Sequence, residues 1–264
     1  MAALYNLQLE LNMKKKILYT TPNFNTAGSG KVVLDLIRGL KNEFEVEVAC
    51  FHDRGALFEI VKAEGVKIHL FNFTEPGKPY LTLFSRIRRI VTFFKENKFD
   101  IIHSWHYTDD WTEALAARLA GVPYVFTKKS MSWGGKDWKL RSALSSRIIT
   151  INTDMNREFY PKQRKAIYIP LGLDVQEYQP QPRDFRILAD TGIAEKNFVM
   201  LSVANLVPIK GIETAIEAMA LCKNDNIHYV IVGSYDEAYF ARLKGLVSDF
   251  GLEKNVHFLG KKTD

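Results

Sequence analysis

The sequence predicts an α/β protein made of two doubly wound parallel-sheet domains, the second incomplete. Three observations predict it. From Lys16 onward, short apolar runs rich in β-branched and aromatic residues alternate with helical periodicities. The alternation breaks once, in the Pro- and Gln-rich stretch "IPLGLDVQEYQPQPRDF" (169–185), and then restarts with the same strand–loop–helix order. A parallel sheet covered by helices on both faces requires such alternation. A break of that composition reads as a connection between domains.

Taken in order, the expected strands of the first domain are "KILYTT" (16–21), "EVEVACF" (45–51), "VKIHLF" (66–71), "DIIHSW" (100–105), "PYVFT" (123–127) and "RIITIN" (147–152). Several are apolar almost throughout, as strands buried on both faces are. Residues 30–40 place Val33, Leu36, Ile37 and Leu40 on one helical face. Residues 81–98 do the same with Leu83, Phe84, Ile87, Ile90, Val91 and Phe94, flanked by Arg86, Arg88, Arg89 and Lys95. Core packing explains that helix first; its basic rim also suits an anionic membrane surface. "WTEALAARLA" (111–120) is stopped by "GVP". After the break come a strand (197–204), a helix (211–222) with Ile212, Ile216 and Met219 on one face, a strand (227–233), a helix (236–249) and a strand (255–260). This second region is thin for an independent domain and leaves a sheet edge unprotected. The expected organisation is an extension over 1–12, a first domain over 13–170, a connection over 171–196 and a partial second domain over 197–264.

Composition narrows the class. Hydrophobic residues make up 47% and charged residues 25%, the balance of a soluble globular chain. No apolar run reaches the roughly 20 residues that span a bilayer, and "MAALYNLQLELN" does not read as a signal peptide. Cys50 and Cys222 stand far apart in apolar segments, so both are expected to be reduced and buried. The net charge of +6 favours anionic partners, but no nucleic-acid-binding module is recognisable.

The loops carry the chemistry. "NTAGSGKVV" looks like a phosphate-binding loop but fails both standard patterns. A P-loop needs Gly where Asn25 stands, and Ser or Thr where Val32 stands. A dinucleotide fingerprint needs Gly where Val33 stands. What remains is a helix start near Ser29 or Gly30, whose unpaired amides and dipole favour an anion, with Gly28 and Gly30 allowing close approach. A tight turn with no ligand is the competing reading. "SVANLVPIKGIETAIEAM" repeats the device, with Lys210 and Gly211 at a helix start; Lys210 there neutralises a diphosphate, or is a solvated surface lysine. His103 and His106 end one strand, and Lys128, Lys129 and Trp133 follow the next, so all are expected on the ligand-binding rim of the first sheet. Two histidines with no third ligand do not make a metal site.

Four segments in this order resemble glycosyltransferase family 4, retaining enzymes of the GT-B fold with two Rossmann-like domains. They are "AGSGKVVLDLIRGL", "IPLGLDVQEYQP", "SVANLVPIKGIETAIEAM" and "YVIVGSYDEAYFARLKGLVSDFGLEKNVHFLG". The resemblance spans roughly residues 14–264. It implies metal-independent transfer from a nucleotide-sugar donor, a substrate and not a cofactor, to a glycan or lipid-linked acceptor on the cytoplasmic side of a membrane. Lys210 and Lys129 are the implied catalytic groups. Gly28, Ser29, Gly30, Asn205 and Gly211 are implied around the phosphates, and His103, His106, Lys128 and Trp133 around the acceptor. Asn205 stands where the family has Arg, and Lys129 where it often has His. The family's paired glutamates would lie beyond residue 264, so this chain alone is expected to be inactive. A non-catalytic or split binding fragment is the alternative. A nicotinamide-dependent oxidoreductase is a third reading, opposed by the absent G-x-G-x-x-G.

Overall fold

The computed structural model describes residues 14–25, 27–132, 135–162, 164–182, 188 and 191–262. The chain divides into two compact units, meeting in sequence at Val175 and Gln176.

The first unit is built on a seven-stranded sheet, β3-β2-β1-β4-β5-β6-β7, with every neighbouring pair parallel. Its strands are β1 (Lys16–Thr20), β2 (Glu45–Cys50), β3 (Lys67–Leu70), β4 (Ile101–Ser104), β5 (Tyr124–Lys128), β6 (Arg147–Thr150) and β7 (Ala166–Tyr168). Strand periodicity sorts the core into two layers. Ile17, Tyr19, Val46 and Val48 face α1 (Ala27–Leu40) and α2 (Phe58–Ala63) through Val33, Ile37 and Val61. Leu18, Ala49, Ile102 and Phe126 face the other way. There they meet α3 (Leu83–Glu96), α4 (Thr112–Ala120), α5 (Asp137–Leu144) and α6 (Thr153–Phe159). The sheet is thus doubly wound, as the sequence predicts.

The second unit has a three-stranded parallel sheet, β10-β9-β8, formed by β8 (Phe198–Val203), β9 (Ile227–Val232) and β10 (Val256–Gly260). Helices α7 (Ile212–Cys222) and α8 (Glu237–Asp249) cover one face through Ile212, Ile216, Leu243 and Val247.

Several expectations need correction. Helix α1 begins at Ala27, so Gly28, Ser29 and Gly30 occupy its first turn and do not precede it. Phe84 is 65% exposed, because at α3 the core takes Leu83, Ile87, Ile90 and Phe94 instead. Cys222 is exposed at the end of α7, whereas Cys50 is buried. Four short elements, α2, α5, α6 and β7, are not singled out by the sequence pattern; at three to eight residues each shows at most about two periods. The proposed extension over 1–12 lies outside the described residues.

Candidate functional site

In the first unit the strand order reverses between β1 and β4. Ligands of open parallel sheets bind at such a switch point, beyond the carboxyl ends of the strands. The loops leaving β1, β4 and β5 therefore share one rim. Lys129 ties them together. Its Nζ donates to Ser29 Oγ on α1 and to the Trp105 carbonyl oxygen after β4, each at 2.7 Å. The rings of Trp105 and Tyr107 lie 5.5 and 5.8 Å from the ammonium. Among the described residues no carboxylate pairs with Lys129. Burial, and then the charge of Arg141, push its ammonium down to about 8. Two residues a hundred positions apart, both expected at a ligand site, are thus in contact.

The histidines stand on the same rim in different surroundings. His103 shares a 2.9 Å hydrogen bond with Thr127 Oγ1 and lies between the rings of Tyr19 and Trp105. His106 packs edge-on against Phe51 and Phe73. Burial holds both imidazoles at about 4, with Lys129 adding to it for both and Arg141 for His106. Both are neutral at physiological pH. Among the described residues no group of three metal-ligating side chains exists.

Lys128 requires a correction. It is fully buried, turns inward from the rim, donates to the Ser132 carbonyl oxygen at 2.6 Å and lies 4.2 Å from the Phe159 ring. Burial pushes it down to about 8. It supports the loop after β5 and does not face a ligand. Trp133 lies outside the described residues. Gly30 has a packing reason: a Cβ there would stand 3.0 Å from Leu57 Cδ1. Around Gly28 the space is open. Lys31, the lysine of "GSGK", pairs with Asp35 at 3.2 Å, one turn along α1.

Beneath the rim lies a buried polar cluster that sequence reasoning missed. The Glu113 carboxylate accepts from Thr20 Oγ1 (2.5 Å), Ser104 Oγ (2.7 Å) and Tyr124 OH (2.9 Å). Arg141 Nη2 lies 3.8 Å from it. Arg141 donates in turn to Tyr124 OH, to Ser104 Oγ and to the carbonyl oxygens of His106 and Thr108. Both charges are about 1% exposed, so each depends on the other and on these hydrogen bonds. Through Arg141 the cluster fixes the loop after β4, the loop whose Trp105 carbonyl receives Lys129. The one available signal was polar residues ending otherwise apolar strands, Thr20 and Ser104.

In the second unit the loops after β8 and β9 are drawn together. Ser234 Oγ donates to Asn205 Oδ1 at 2.7 Å, and Leu206 bridges to Tyr235. Gly233 permits this approach, since a Cβ there would stand 1.9 Å from the Ala204 carbonyl oxygen. A single 3-10 turn, Pro208–Lys210, leads to Gly211, whose φ of 64° is the left-handed conformation that favours glycine, and α7 starts at the next residue. The loop thus ends at a helix start whose first amides lack intrahelical partners. Lys210 is exposed, and among the described residues its ammonium has no ion-pair or hydrogen-bond partner. Glu213 does not occupy this mouth; it accepts from Tyr239 OH at 2.5 Å, with Arg242 3.8 Å away. Asn205 and Lys210 therefore share a loop, but Asn205 already uses its oxygen.

Two parallel-sheet α/β units, the first doubly wound and the second with helices on one face, each with an anion-suited loop at the carboxyl ends of its strands, define the GT-B class. Residues 26–177 match the model for Glycosyltransferase Family 4, and residues 184–264 match that for Glycosyl transferases group 1. The chain belongs to glycosyltransferase family 4. The capsular polysaccharide biosynthesis glycosyltransferase CapH of Staphylococcus aureus is 22% identical, the match covering 93% of this chain and 70% of CapH. Anabaena Alr3699/HepE, solved in complex with UDP, matches with a TM-score of 0.75 and 22% identity, over 94% of this chain and 70% of its own. A glycosyltransferase from Rickettsia africae matches with a TM-score of 0.78 and 16% identity, over 95% and 69%. Those structures establish the fold, and the family makes glycosyl transfer the class of function.

Proposed function

We propose that this chain takes a nucleoside-diphosphate sugar as donor and passes the sugar, with retention and without a metal ion, to a glycan or lipid-linked acceptor at the cytoplasmic face of a membrane. The observation that carries the reading is Lys210: an ammonium unpartnered among the described residues, one residue before the left-handed Gly211 and the start of α7. As the bond from the anomeric carbon to the diphosphate oxygen breaks, the leaving group gains negative charge. A fixed helix start and a mobile cation stabilise that charge without a metal. The side-chain amide of Asn205 is a neutral donor in the same loop. Lys129 and Ser29 serve the acceptor side, with the neutral His103 and His106 beside them. The UDP held by Alr3699/HepE supports the donor class.

The test is equilibrium binding of UDP to the chain. Lys210→Ala is expected to weaken it by roughly 10-fold or more, the worth of one charge-assisted contact, and a chelator is expected to leave it unchanged. Binding that needs a divalent cation, or that ignores Lys210→Ala, overturns the reading. In a transfer assay the same substitution is expected to slow the reaction by about 10²-fold.

A further inference from the structure

At the rim of the first unit, hydrogen-bond donors outnumber the acceptors that receive them. The Lys129 ammonium has three protons and gives two, to Ser29 Oγ and to the Trp105 carbonyl oxygen. Ser29 Oγ accepts there, so its own proton is left to give. The Trp105 ring lies 5.5 Å from the ammonium, and its buried Nε1 has no hydrogen-bond partner among the described residues. The amides of Gly28 and Ser29 belong to the first turn of α1 and lack intrahelical acceptors, and the space around Gly28 is open.

The nearby acids are engaged elsewhere. Glu113 is committed to Arg141 and its hydroxyl donors. Asp110 accepts from the amides of Thr112 and Glu113, Asp109 stands against Gly135, and Asp35 pairs with Lys31 on α1. His103 and His106 are neutral, and the charge that acts on Lys129 is that of Arg141. An oxyanion accepts several donors at once and balances a half-buried cation, which a neutral hydroxyl does not do.

The adjoining ring selects the kind of oxyanion. Tyr107 is 58% exposed, and its ring lies 5.8 Å from Lys129 Nζ. Arg141 donates to the carbonyl oxygens of His106 and Thr108, on either side of Tyr107, so the backbone there is fixed before a ligand arrives. An exposed ring beside an ammonium offers a flat apolar surface to the C–H face of a pyranose and a cation at its edge. Inorganic phosphate makes no use of the ring. A sugar that carries its own carboxylate uses both.

We propose that the rim of the first unit binds a hexuronic acid residue, with its carboxylate on Lys129, Ser29 and the start of α1 and its ring on Tyr107. The proposal deepens the functional reading by naming the class of sugar this rim receives. It rests on that reading for the role of the rim, and not on Lys210 or the diphosphate.

The experiment is calorimetric binding of free glucuronate to the full chain, against glucose and inorganic phosphate. Glucuronate is expected to bind roughly 10-fold or more tighter than glucose. Its affinity should fall about 10-fold from pH 7 to pH 9, as Lys129, held at about 8 by burial, gives up its proton. Glucose affinity should stay level. Lys129→Met should erase both the preference and the pH dependence; Lys128, which titrates in the same range but donates inward to Ser132, is untouched by it. Tyr107→Ala should weaken glucuronate roughly 5-fold and spare phosphate. Equal binding of glucose and glucuronate, a wild-type affinity that ignores pH, or a preference that survives Lys129→Met overturns the proposal. So does inorganic phosphate that binds as tightly as glucuronate and displaces it. Saturating UDP tells which substrate carries the acid: glucuronate that still binds marks the acceptor, whereas UDP-glucuronate that binds about 10-fold tighter than UDP-glucose through Lys129 marks the donor. The effect of Lys210→Ala on UDP binding, measured under the same conditions, separates failure of this proposal from failure of the transferase reading.

Discussion

The two units solve the same problem to different degrees. In the first, β1 lies between β2 and β4, and both its faces are covered: Leu18 is 0% exposed and Tyr19 2%. In the second, among the described residues β8 is covered on the side of α7 and α8; on the other, Leu201 is 61% exposed and Val203 73%. The site cations follow suit. Lys129 is fixed by Ser29 and the Trp105 carbonyl, above a buried cluster whose Arg141 holds the next carbonyls of that loop, those of His106 and Thr108. Lys210 stands on a short turn, and among the described residues its ammonium has no partner. A completed sheet can organise its rim before a ligand arrives, which lowers the ordering cost of binding. An open sheet leaves that ordering to the ligand.

The largest expected effect tests the buried cluster. Glu113→Ala leaves Arg141 buried without its counter-charge, and removal of one partner from such a pair costs about 3–5 kcal/mol. All four tryptophans, at 105, 111, 133 and 138, belong to the first unit. Denaturant unfolding followed by tryptophan fluorescence therefore reports that unit alone. A loss below about 1 kcal/mol would mean that Glu113 and Arg141 do not anchor the rim and that the contrast between the units is overstated.

A smaller effect is expected in the second unit. Gly233→Ala forces the loop after β9 away from the Ala204 carbonyl and strains the Asn205–Ser234 and Leu206–Tyr235 ties. Overpacking of this kind costs about 1–3 kcal/mol. Amide exchange at 204–206 should quicken while the tryptophan transition stays in place. A shift of the tryptophan transition would show that the two units do not respond separately, and the comparison would have to be redrawn.

How much of this the sequence carried depends on the range of the interaction. Strand and helix positions rest on local periodicity, so β1, β2, β4 and β9 stand within a residue or two of expectation. The rim itself was legible too, because a doubly wound sheet sends every loop after a strand to the same end. Direction within a loop was not legible. Lys128 and Lys129 are neighbours of the same type, but strand alternation sends one inward under Phe159 and Trp138 and the other outward to Ser29. Glu113 was invisible for a similar reason. An acid in the first turn of a helix normally complements the helix dipole in solvent; here its partners come from β1, β4, β5 and α5, up to 93 residues away. The start of α1 was misplaced because glycine and serine at a helix entrance read equally well as loop.

The smallest effect, and the most specific to Lys129, is in pH dependence. In the folded protein burial pushes its ammonium down from 10.5 to about 8. Between those values the unfolded chain still holds the proton and the folded chain has released it. Unfolding then takes up a proton, so stability should rise with pH across this window, by at most about 1.4 kcal/mol per pH unit for each such lysine. Lys128, pushed to about 8 by its own burial, contributes in the same direction. Lys129→Met keeps the aliphatic stem and removes the titrating group, so the slope should fall to the share that Lys128 retains. The measurement is tryptophan-detected unfolding from pH 8 to about pH 10, stopping where tyrosines of the unfolded chain begin to ionise. An unchanged slope would mean that Lys129 remains solvated on the rim, and the contrast with Lys210 would then lie in hydrogen bonding alone.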